Sequence, residues 1–129
     1  MERALLITFG GAIGTLLRYL TSLLAARWLG TDFPYGTLIF NVSGAFVIGL
    51  VQSLGTEEFV IGDNTRLFLT TGLMGGMTTY STFSYETVRL MESGAWSAAW
   101  INVVVTTAVC LGLCFIGMGT GRALMSLRA

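Results

Sequence analysis

An uncharged stretch from Gly94 to Gly121 limits this chain more than any other feature of its sequence. About 20 apolar residues suffice to cross the hydrocarbon core of a bilayer, so this stretch is long enough for a membrane-spanning helix. Only 11% of the 129 residues are charged and 53% are hydrophobic, whereas a soluble domain carries roughly 25% charged residues. The composition therefore predicts an integral membrane protein.

Three further apolar stretches predict helices, so we expect one all-α transmembrane domain over residues 1–129. Its four membrane-spanning helices are predicted at about 4–29, 37–54, 66–92 and 95–121. A turn containing Pro34 separates the first two, and an exposed acidic loop over 55–65 precedes the third. The N-terminus lacks a short apolar core followed by a small-residue cleavage site, so we expect no removable signal peptide.

Small residues on the first helix predict a close helix contact. Gly10 and Gly14 are four residues apart and therefore lie on one helix face. Such pairs let the backbones of two membrane helices approach closely. Glycines that merely fit a crowded helix would give the same pattern, so the spacing alone assigns no function.

The third predicted helix is interrupted by an unusual segment, residues 72–86, with the sequence GLMGGMTTYSTFSYE. Glycine, hydroxyl and aromatic side chains are concentrated here within an otherwise apolar run. A helix break at membrane depth is tolerated only where the freed backbone is buried in protein or lines a watery cavity. We expect the break at Gly75-Gly76-Met77-Thr78, where carbonyl groups would lose their helical partners and suit a hard cation such as Na⁺.

Polar side chains recur at membrane depth on three of the predicted helices. An unpaired buried donor costs about 1–3 kcal/mol, so their recurrence predicts one continuous polar path rather than separate accidents. The members are Thr37 and Asn41 on the second helix, residues 78–84 on the third, and an i, i+4, i+8 stripe of Asn102, Thr106 and Cys110 on the fourth.

The chemistry of this path favours an anion. It contains no histidine, and Glu86 is its only carboxylate, so it lacks the groups that a proton relay or a cation pump needs. Hydroxyl groups, amides and the intramembrane Arg18 are hydrogen-bond donors. Tyr80 and Phe83, at i and i+3, would add ring edges, which carry the positive part of the aromatic quadrupole. From spacing alone, however, the two rings are equally consistent with ordinary helix packing. The Asn41 amide is also consistent with a hydrogen bond that ties two helices together.

The arginines give only a weak orientation signal. A chain with so small a bias can insert both ways up, and four helices enclose little space for an aqueous path. We therefore expect two copies to pair antiparallel, as a dual-topology homodimer. With four spans, one face carries Arg3, Arg66, Arg122 and Arg128, and the other carries Arg27 and Arg89, with Arg18 buried between them.

Three motifs, in this order, resemble those of the small dual-topology fluoride channels, the Fluc or CrcB family. They are GGAIGTLLR at residues 10–18, GTLIFN at 36–41 and GGMTTYSTFS at 75–84. The resemblance implies an antiparallel homodimer of four-helix subunits with two pores, a multi-pass protein of the bacterial inner membrane. It also implies passive export of fluoride from the cytoplasm, which reduces fluoride toxicity.

The resemblance further implies which residues form the fluoride path. Asn41 matches the family's pore asparagine and Phe83 the second of its two pore phenylalanines, whereas Tyr80 stands where the family usually has Phe. The remaining members of the path are Thr37, the hydroxyl residues Ser81 and Thr82, and the polar track of Asn102, Thr106 and Cys110, with Cys110 in place of a more usual Ser.

Other residues match the family outside the path itself. Gly75 and Thr78 match the positions whose backbone carbonyls hold a central structural Na⁺ that is not transported. Arg18 matches the arginine of the first helix, for which we expect a structural or vestibular role, and we group Glu86 with it. Tyr80 retains the ring edge of Phe but adds a hydroxyl, which predicts a working channel with altered conduction.

Other protein classes fit the sequence less well. A small multidrug transporter, of similar size and topology, needs a carboxylate in its first membrane helix, where this chain has Arg18 and no acid after Glu2. A purely structural subunit would move no ions. An enzyme is not expected, since no nucleophile and base pair or metal set is visible, and a net charge of zero gives no support for a nucleic-acid partner. Cys110 and Cys114, four apart on one helix, are expected to be free thiols.

Overall fold

Helices dominate residues 1–55 and 61–128, the part of the chain that the computed structural model describes. No strand occurs within these two ranges. Three helices are long and apolar enough to cross a membrane: α1 (Glu2–Leu29), α2 (Tyr35–Leu54) and α6 (Trp96–Ser126). The prediction of an all-α membrane fold is confirmed, while the loop predicted over 55–65 lies partly outside the described residues.

The third predicted span is built from two half-helices. The first half begins as α3 (Asp63–Leu67), continues as a π-helical segment (Phe68–Met74) and ends as α4 (Gly75–Met77). The second half is α5 (Tyr80–Glu92). The π-helical segment overlaps the start of the unusual segment 72–86. π-Helical turns are rare and often occur at functional sites, so this geometry also indicates a site here.

The break between the half-helices lies at Thr78 and Thr79. The predicted break over residues 75–78 therefore agrees with the structure only at Thr78, because Gly75–Met77 remain helical. The two threonines have φ/ψ of −84/150° and −155/125°, in the extended region that β-branched residues favour. Gly76 stays helical and packs closely on α1, where an added Cβ would clash with the carbonyl oxygen of Gly11. Glycine here serves helix packing, and threonine supplies the break.

Gly10 and Gly14 bring α1 against the π-helical segment, as their spacing predicted. A Cβ at Gly10 would lie 2.9 Å from the carbonyl oxygen of Phe68. A Cβ at Gly14 would overlap the carbonyl oxygen of Leu73. The missing side chains therefore allow the backbone contact that small residues provide between membrane helices.

The helices α2 and α6 run in the same direction in close contact. Gly49 of α2 lies against the backbone of Cys114, and further along, Ser53 lies against Gly121. The C-terminal ends of the two helices therefore meet at one end of the bundle. The thiols of Cys110 and Cys114 are free, as expected.

The same end of the bundle carries the start of α1 and of α3. Arg3 and Arg66 lie 4.0 Å and 3.1 Å from the carboxylate of Asp63. Arg66 also packs where a side chain at Gly55, just after α2, would stand. The start of α1 and the end of α6 thus lie on one side of the bundle. Exposed ion pairs of this kind add little stability.

Large apolar side chains cover the outer surface. Phe9 and Leu16 on α1 are 65% and 56% exposed, and Phe115 on α6 is 78% exposed. Contiguous apolar exposure on this scale is unfavourable in water, whereas lipid accommodates it. Trp28 and Trp96 lie near helix ends, where tryptophan commonly meets the membrane–water interface.

Candidate functional site

A cavity of about 450 Å³ lies beside the helix break. Its walls come from α2, from the break with the start of α5, and from α6. Seven of the residues singled out in the sequence line it: Asn41, Thr78, Thr79, Tyr80, Phe83, Thr106 and Cys110. The predicted polar groups on three separate spans therefore converge in part on one space.

Asn41 ties α2 to the broken backbone. Its side-chain Oδ1 accepts a hydrogen bond from the backbone N–H of Thr79 at 2.9 Å, and its Nδ2 donates to the Thr79 carbonyl oxygen at 3.2 Å. Asn41 is 8% exposed, so these bonds form away from bulk water. The amide thus supplies partners to both backbone groups of an extended residue, which a helix break would otherwise leave unpaired.

The same contact bears on the carbonyl of Gly75. In a continuous helix, the N–H of Thr79 would donate to the carbonyl four residues earlier, which belongs to Gly75. That N–H instead donates to Asn41. The Gly75 carbonyl therefore lacks its usual helical partner, and Gly75 itself is exposed.

The two aromatic rings predicted for the site lie side by side. The ring centroids of Tyr80 and Phe83 are 5.4 Å apart and their planes are inclined at 48°. Phe83 is 8% exposed, whereas Tyr80 is 80% exposed. The Tyr80 hydroxyl has no hydrogen-bond partner within residues 1–55 and 61–128, so it is free to bind a group from outside the chain.

Hydroxyl groups cluster at the start of α5. The Thr79 hydroxyl accepts from the backbone N–H of Thr82 at 3.2 Å, which caps the helix. It also lies 3.0 Å from the Ser81 hydroxyl and 3.3 Å from that of Thr82. Ser81 and Thr82 do not line the cavity; together with Thr79 they form the cap beside it, where the helix dipole places partial positive charge.

The stripe on α6 divides into two parts. Thr106 and Cys110 line the cavity. Asn102 is 1% exposed, and its Nδ2 donates to the Thr87 hydroxyl of α5 at 2.9 Å. The Thr106 hydroxyl donates to Asn102 Oδ1 at 3.2 Å. Equal spacing along the helix therefore does not give these side chains equal surroundings.

Thr37 and Glu86 meet away from the break, in a smaller cavity of about 220 Å³. The Thr37 side chain faces the Glu86 carboxylate. Oxygen Oε2 of Glu86 is buried and accepts no hydrogen bond from the described residues. Glu86 also lines a larger cavity of about 590 Å³, together with Asp32 and Arg89. The Glu86 residue therefore lies between the smaller cavity and this larger one, which has charged residues in its wall.

Arg18 lines none of the cavities described above. The Arg18 side chain is half-buried on α1 and has neither a hydrogen bond nor an ion pair with any residue of 1–55 or 61–128. Within the same ranges, no three His, Cys, Asp or Glu side chains gather as a metal site. Backbone carbonyls, among them that of Gly75, which lacks its helical partner, also offer oxygen ligands to a hard cation.

Comparison with known sequences identifies the family. A family model described as CrcB-like protein, Camphor Resistance (CrcB), matches residues 5–118, a range that contains the three motifs and every residue lining the cavity at the break. The chain belongs to the CrcB family. The resemblance noted in the sequence is thereby confirmed.

Several curated proteins resemble this CrcB-family chain over nearly its whole length. A Geobacter sp. (strain M21) protein is 46% identical over 124 residues, covering 96% of this chain and 100% of its own. A Clostridium perfringens (strain 13 / Type A) protein is 43% identical, covering 94% of each chain, and one from Sorangium cellulosum is 43% identical, covering 98% and 99%. All three are named fluoride-specific ion channel FluC.

One residue of the CrcB-family site, Thr87, was missed in the sequence, and the contacts of Thr79 were not foreseen. Thr79 anchors both Asn41 and the cap of α5, and Thr87 binds Asn102. Thr87 lies four residues after Phe83, so extending the ring's helix face by one turn would have found it. Thr79 lies within the predicted polar segment 78–84, but no sequence signal indicated its contact with Asn41, because the two residues are 38 positions apart.

Proposed function

We propose that this chain is a fluoride-selective ion channel, which lets fluoride leave the cytoplasm passively and so reduces fluoride toxicity. Relatives at 43% to 46% identity over nearly full length carry the name fluoride-specific ion channel. The observation that carries the proposal is the convergence of Asn41, Tyr80 and Phe83 on one cavity at a helix break. The chain is a channel subunit and not an enzyme.

Selective dehydration is the mechanism that these groups support. Fluoride is small and tightly hydrated, so a narrow path must replace nearly every water contact that the ion loses. The Asn41 amide has two N–H groups, and the bond to Thr79 uses one, which leaves the other for the ion. The ring edges of Tyr80 and Phe83 carry partial positive charge and meet an anion favourably. We expect the width of the completed path and the geometry of its fixed donors to exclude larger anions.

The path continues from the break toward Glu86. Thr37 lies one turn before Asn41 on α2, and therefore on the same face of that helix. Beyond Thr37, the cavity that contains Glu86 and Arg89 supplies an entrance. Arg89 attracts anions there, while the Glu86 carboxylate repels them and so opposes their accumulation in the narrow part.

Two copies complete the channel. Tyr80 is 80% exposed although its ring forms part of the cavity wall, so the wall is unfinished in one copy. We propose an antiparallel homodimer with two pores, each copy a multi-pass protein of the bacterial inner membrane. Chemical cross-linking in vesicles tests the assembly: a dimer band supports it, and monomers alone would contradict it.

A structural Na⁺ fits the backbone near the break. The Gly75 carbonyl lacks its helical partner because Asn41 takes the N–H of Thr79, and Thr78 is extended. We propose that the carbonyls of Gly75 and Thr78 bind a central Na⁺ that is not transported. Bound there, the ion would stabilise the dimer by neutralising facing carbonyl dipoles. Replacing Na⁺ by N-methylglucamine on both sides of a vesicle should lower fluoride efflux.

Bacterial growth tests export from the cytoplasm. A strain without its own fluoride exporter should grow in millimolar fluoride only when it expresses this chain. Phe83→Ala at equal expression is the matched control and should not restore growth. If the parent chain gives no more resistance than the control, the proposal is wrong.

A further inference from the structure

One chain of hydrogen bonds joins α6 to the half-helix that carries both rings. The Thr87 hydroxyl donates to the carbonyl oxygen of Phe83 at 2.7 Å, and Asn102 Nδ2 donates to the Thr87 hydroxyl at 2.9 Å. The Thr106 hydroxyl extends the chain to Asn102 Oδ1 at 3.2 Å. All four residues are buried, with exposed fractions of 1% to 8%. Hydrogen bonds in such surroundings hold their geometry firmly.

The backbone carbonyl of Phe83 fixes the direction of every bond in this chain. A carbonyl oxygen can only accept, so the Thr87 hydroxyl donates its one proton to the Phe83 carbonyl. Toward Asn102 the same hydroxyl can therefore only accept a hydrogen bond. Asn102 must therefore turn its NH₂ toward Thr87 and its oxygen toward Thr106. Thr106 then donates to Asn102 and presents only oxygen lone pairs to the cavity, which offer an anion no donor.

We infer that Thr87 and Asn102 are positioning residues that hold Phe83 in the ion path. Thr87 fixes the Phe83 backbone, and Asn102 fixes Thr87 from α6. On the other side of Phe83, Asn41 fixes the start of the half-helix through Thr79. A group that must meet an ion at a set angle has to be held within about 0.5 Å. Two asparagines from different spans provide that restraint.

Supporting Phe83 is a different role for Asn102 from donating a hydrogen bond to the ion. Asn102 does not line the cavity at the break, and it is 1% exposed. Its Oδ1 and one N–H are already bonded to Thr106 and Thr87. The inference rests on the proposed fluoride path, but it assigns Asn102 to the support of the ring rather than to the ion.

Fluoride efflux from vesicles separates the two roles. Thr87→Val keeps the side-chain shape without the hydroxyl, and it should lower efflux by about tenfold or more, because small displacements of a positioned group are costly. Asn102→Leu should have a similar effect, and the double variant should be no slower than the slower single, since both break one chain. Thr87→Ser should remain within about twofold of the parent, because serine restores both bonds.

A direct role of Asn102 at the ion predicts a different pattern of efflux. If Asn102 acts on the ion directly, Asn102→Leu will lose efflux while Thr87→Val matches the parent, and the inference is overturned. Thr120→Val is the matched control, because Thr120 also donates to a carbonyl four residues earlier, that of Ile116 at 2.8 Å, but accepts nothing from another helix within the described ranges. It should conduct as the parent does. Should Thr87→Val fail to fold, Thr87→Ala takes its place with the same expectations.

A spectroscopic measurement does not depend on ion flux. With 4-fluorophenylalanine at Phe83, the fluorine NMR resonance should shift or broaden in Thr87→Val, because the ring loses its restraint. The same label at Phe115, which is 78% exposed on α6, should be unaffected. An unchanged Phe83 resonance would overturn the inference. If the parent moves no fluoride at all, the proposed function is wrong. The fluorine resonance of the label at Phe83, compared between parent and Thr87→Val, then tests by itself whether Thr87 positions the ring.

Discussion

The side-chain amide of Asn41 and the backbone of Thr79 exchange two hydrogen bonds, at 2.9 Å and 3.2 Å, across the break in the third span. This pairing satisfies an extended residue inside a membrane protein, where unpaired backbone groups are most costly. It also withholds the Thr79 N–H from the Gly75 carbonyl. One side chain thus shapes both the cavity wall and the carbonyl group that we propose for Na⁺.

Asn41→Asp should lower fluoride efflux by about tenfold or more, and it should destabilise the fold by about 1–3 kcal/mol. Aspartate keeps the acceptor for the Thr79 N–H but loses the donor to the Thr79 carbonyl, and its negative charge repels an anion. Ser43→Ala is the control, since Ser43 also lies on α2 but bonds only to carbonyls of its own helix. Efflux equal to the parent's in folded Asn41→Asp would contradict the assigned role.

Replacing Phe83 tests the ring edge. Phe83→Ala should abolish or sharply reduce fluoride efflux, but it also removes a buried ring at a cost of about 3–5 kcal/mol. Phe83→Leu retains apolar volume and should lower efflux almost as strongly, because leucine has no positive ring edge. Phe115→Leu, at an exposed site on α6, is the control and should conduct normally. A normal rate for folded Phe83→Leu rules out the ring-edge mechanism.

Tyr80→Phe should change the fluoride conduction rate without abolishing it. The ring edge remains, while the lost hydroxyl has no partner within the described residues and lies at an 80% exposed side chain beside the cavity. Current recorded from parent and variant in planar bilayers measures the difference. Identical currents would mean that the hydroxyl takes no part in conduction.

Gly76→Ala should destabilise the bundle by about 1–3 kcal/mol or more. Its new methyl group would clash with the carbonyl oxygen of Gly11, and rigid backbone cannot move aside as a flexible side chain can. Gly112→Ala is the matched control, because an added Cβ there meets nothing within 4 Å. Thermal unfolding in detergent, followed by circular dichroism, should separate the two variants; equal melting temperatures would contradict the packing.

The sequence predicted which residues approach the site better than it predicted their contacts. Membrane-length apolar runs define the spans, and the Gly10 and Gly14 pair defines a close helix contact, because each is a local pattern with one dominant physical cause. The predicted break began at Gly75 and Gly76 and overlaps the observed one only at Thr78. Gly76 packs against α1, whereas the β-branched Thr78 and Thr79 adopt extended backbone. Intrinsic flexibility was thus the wrong guide where helix packing decided the conformation.

The α6 stripe shows the limit of periodicity. Asn102, Thr106 and Cys110 share one helix face, as their spacing predicted. Spacing does not reveal which side chains lie across from a helix face, and within the described ranges it is Asn102 of this stripe that bonds to Thr87 of α5. Contacts between distant segments depend on the tertiary arrangement, so one face divides into a buried support and a cavity wall.

Fluoride release from reconstituted vesicles tests the central claim most directly. Vesicles containing the purified chain and loaded with fluoride or chloride are placed in medium free of both anions, and valinomycin then releases the compensating K⁺. The account predicts rapid fluoride efflux, recorded with a fluoride electrode, and chloride release no faster than from protein-free vesicles. Fluoride release at the protein-free rate, or chloride release as fast as that of fluoride, would contradict it.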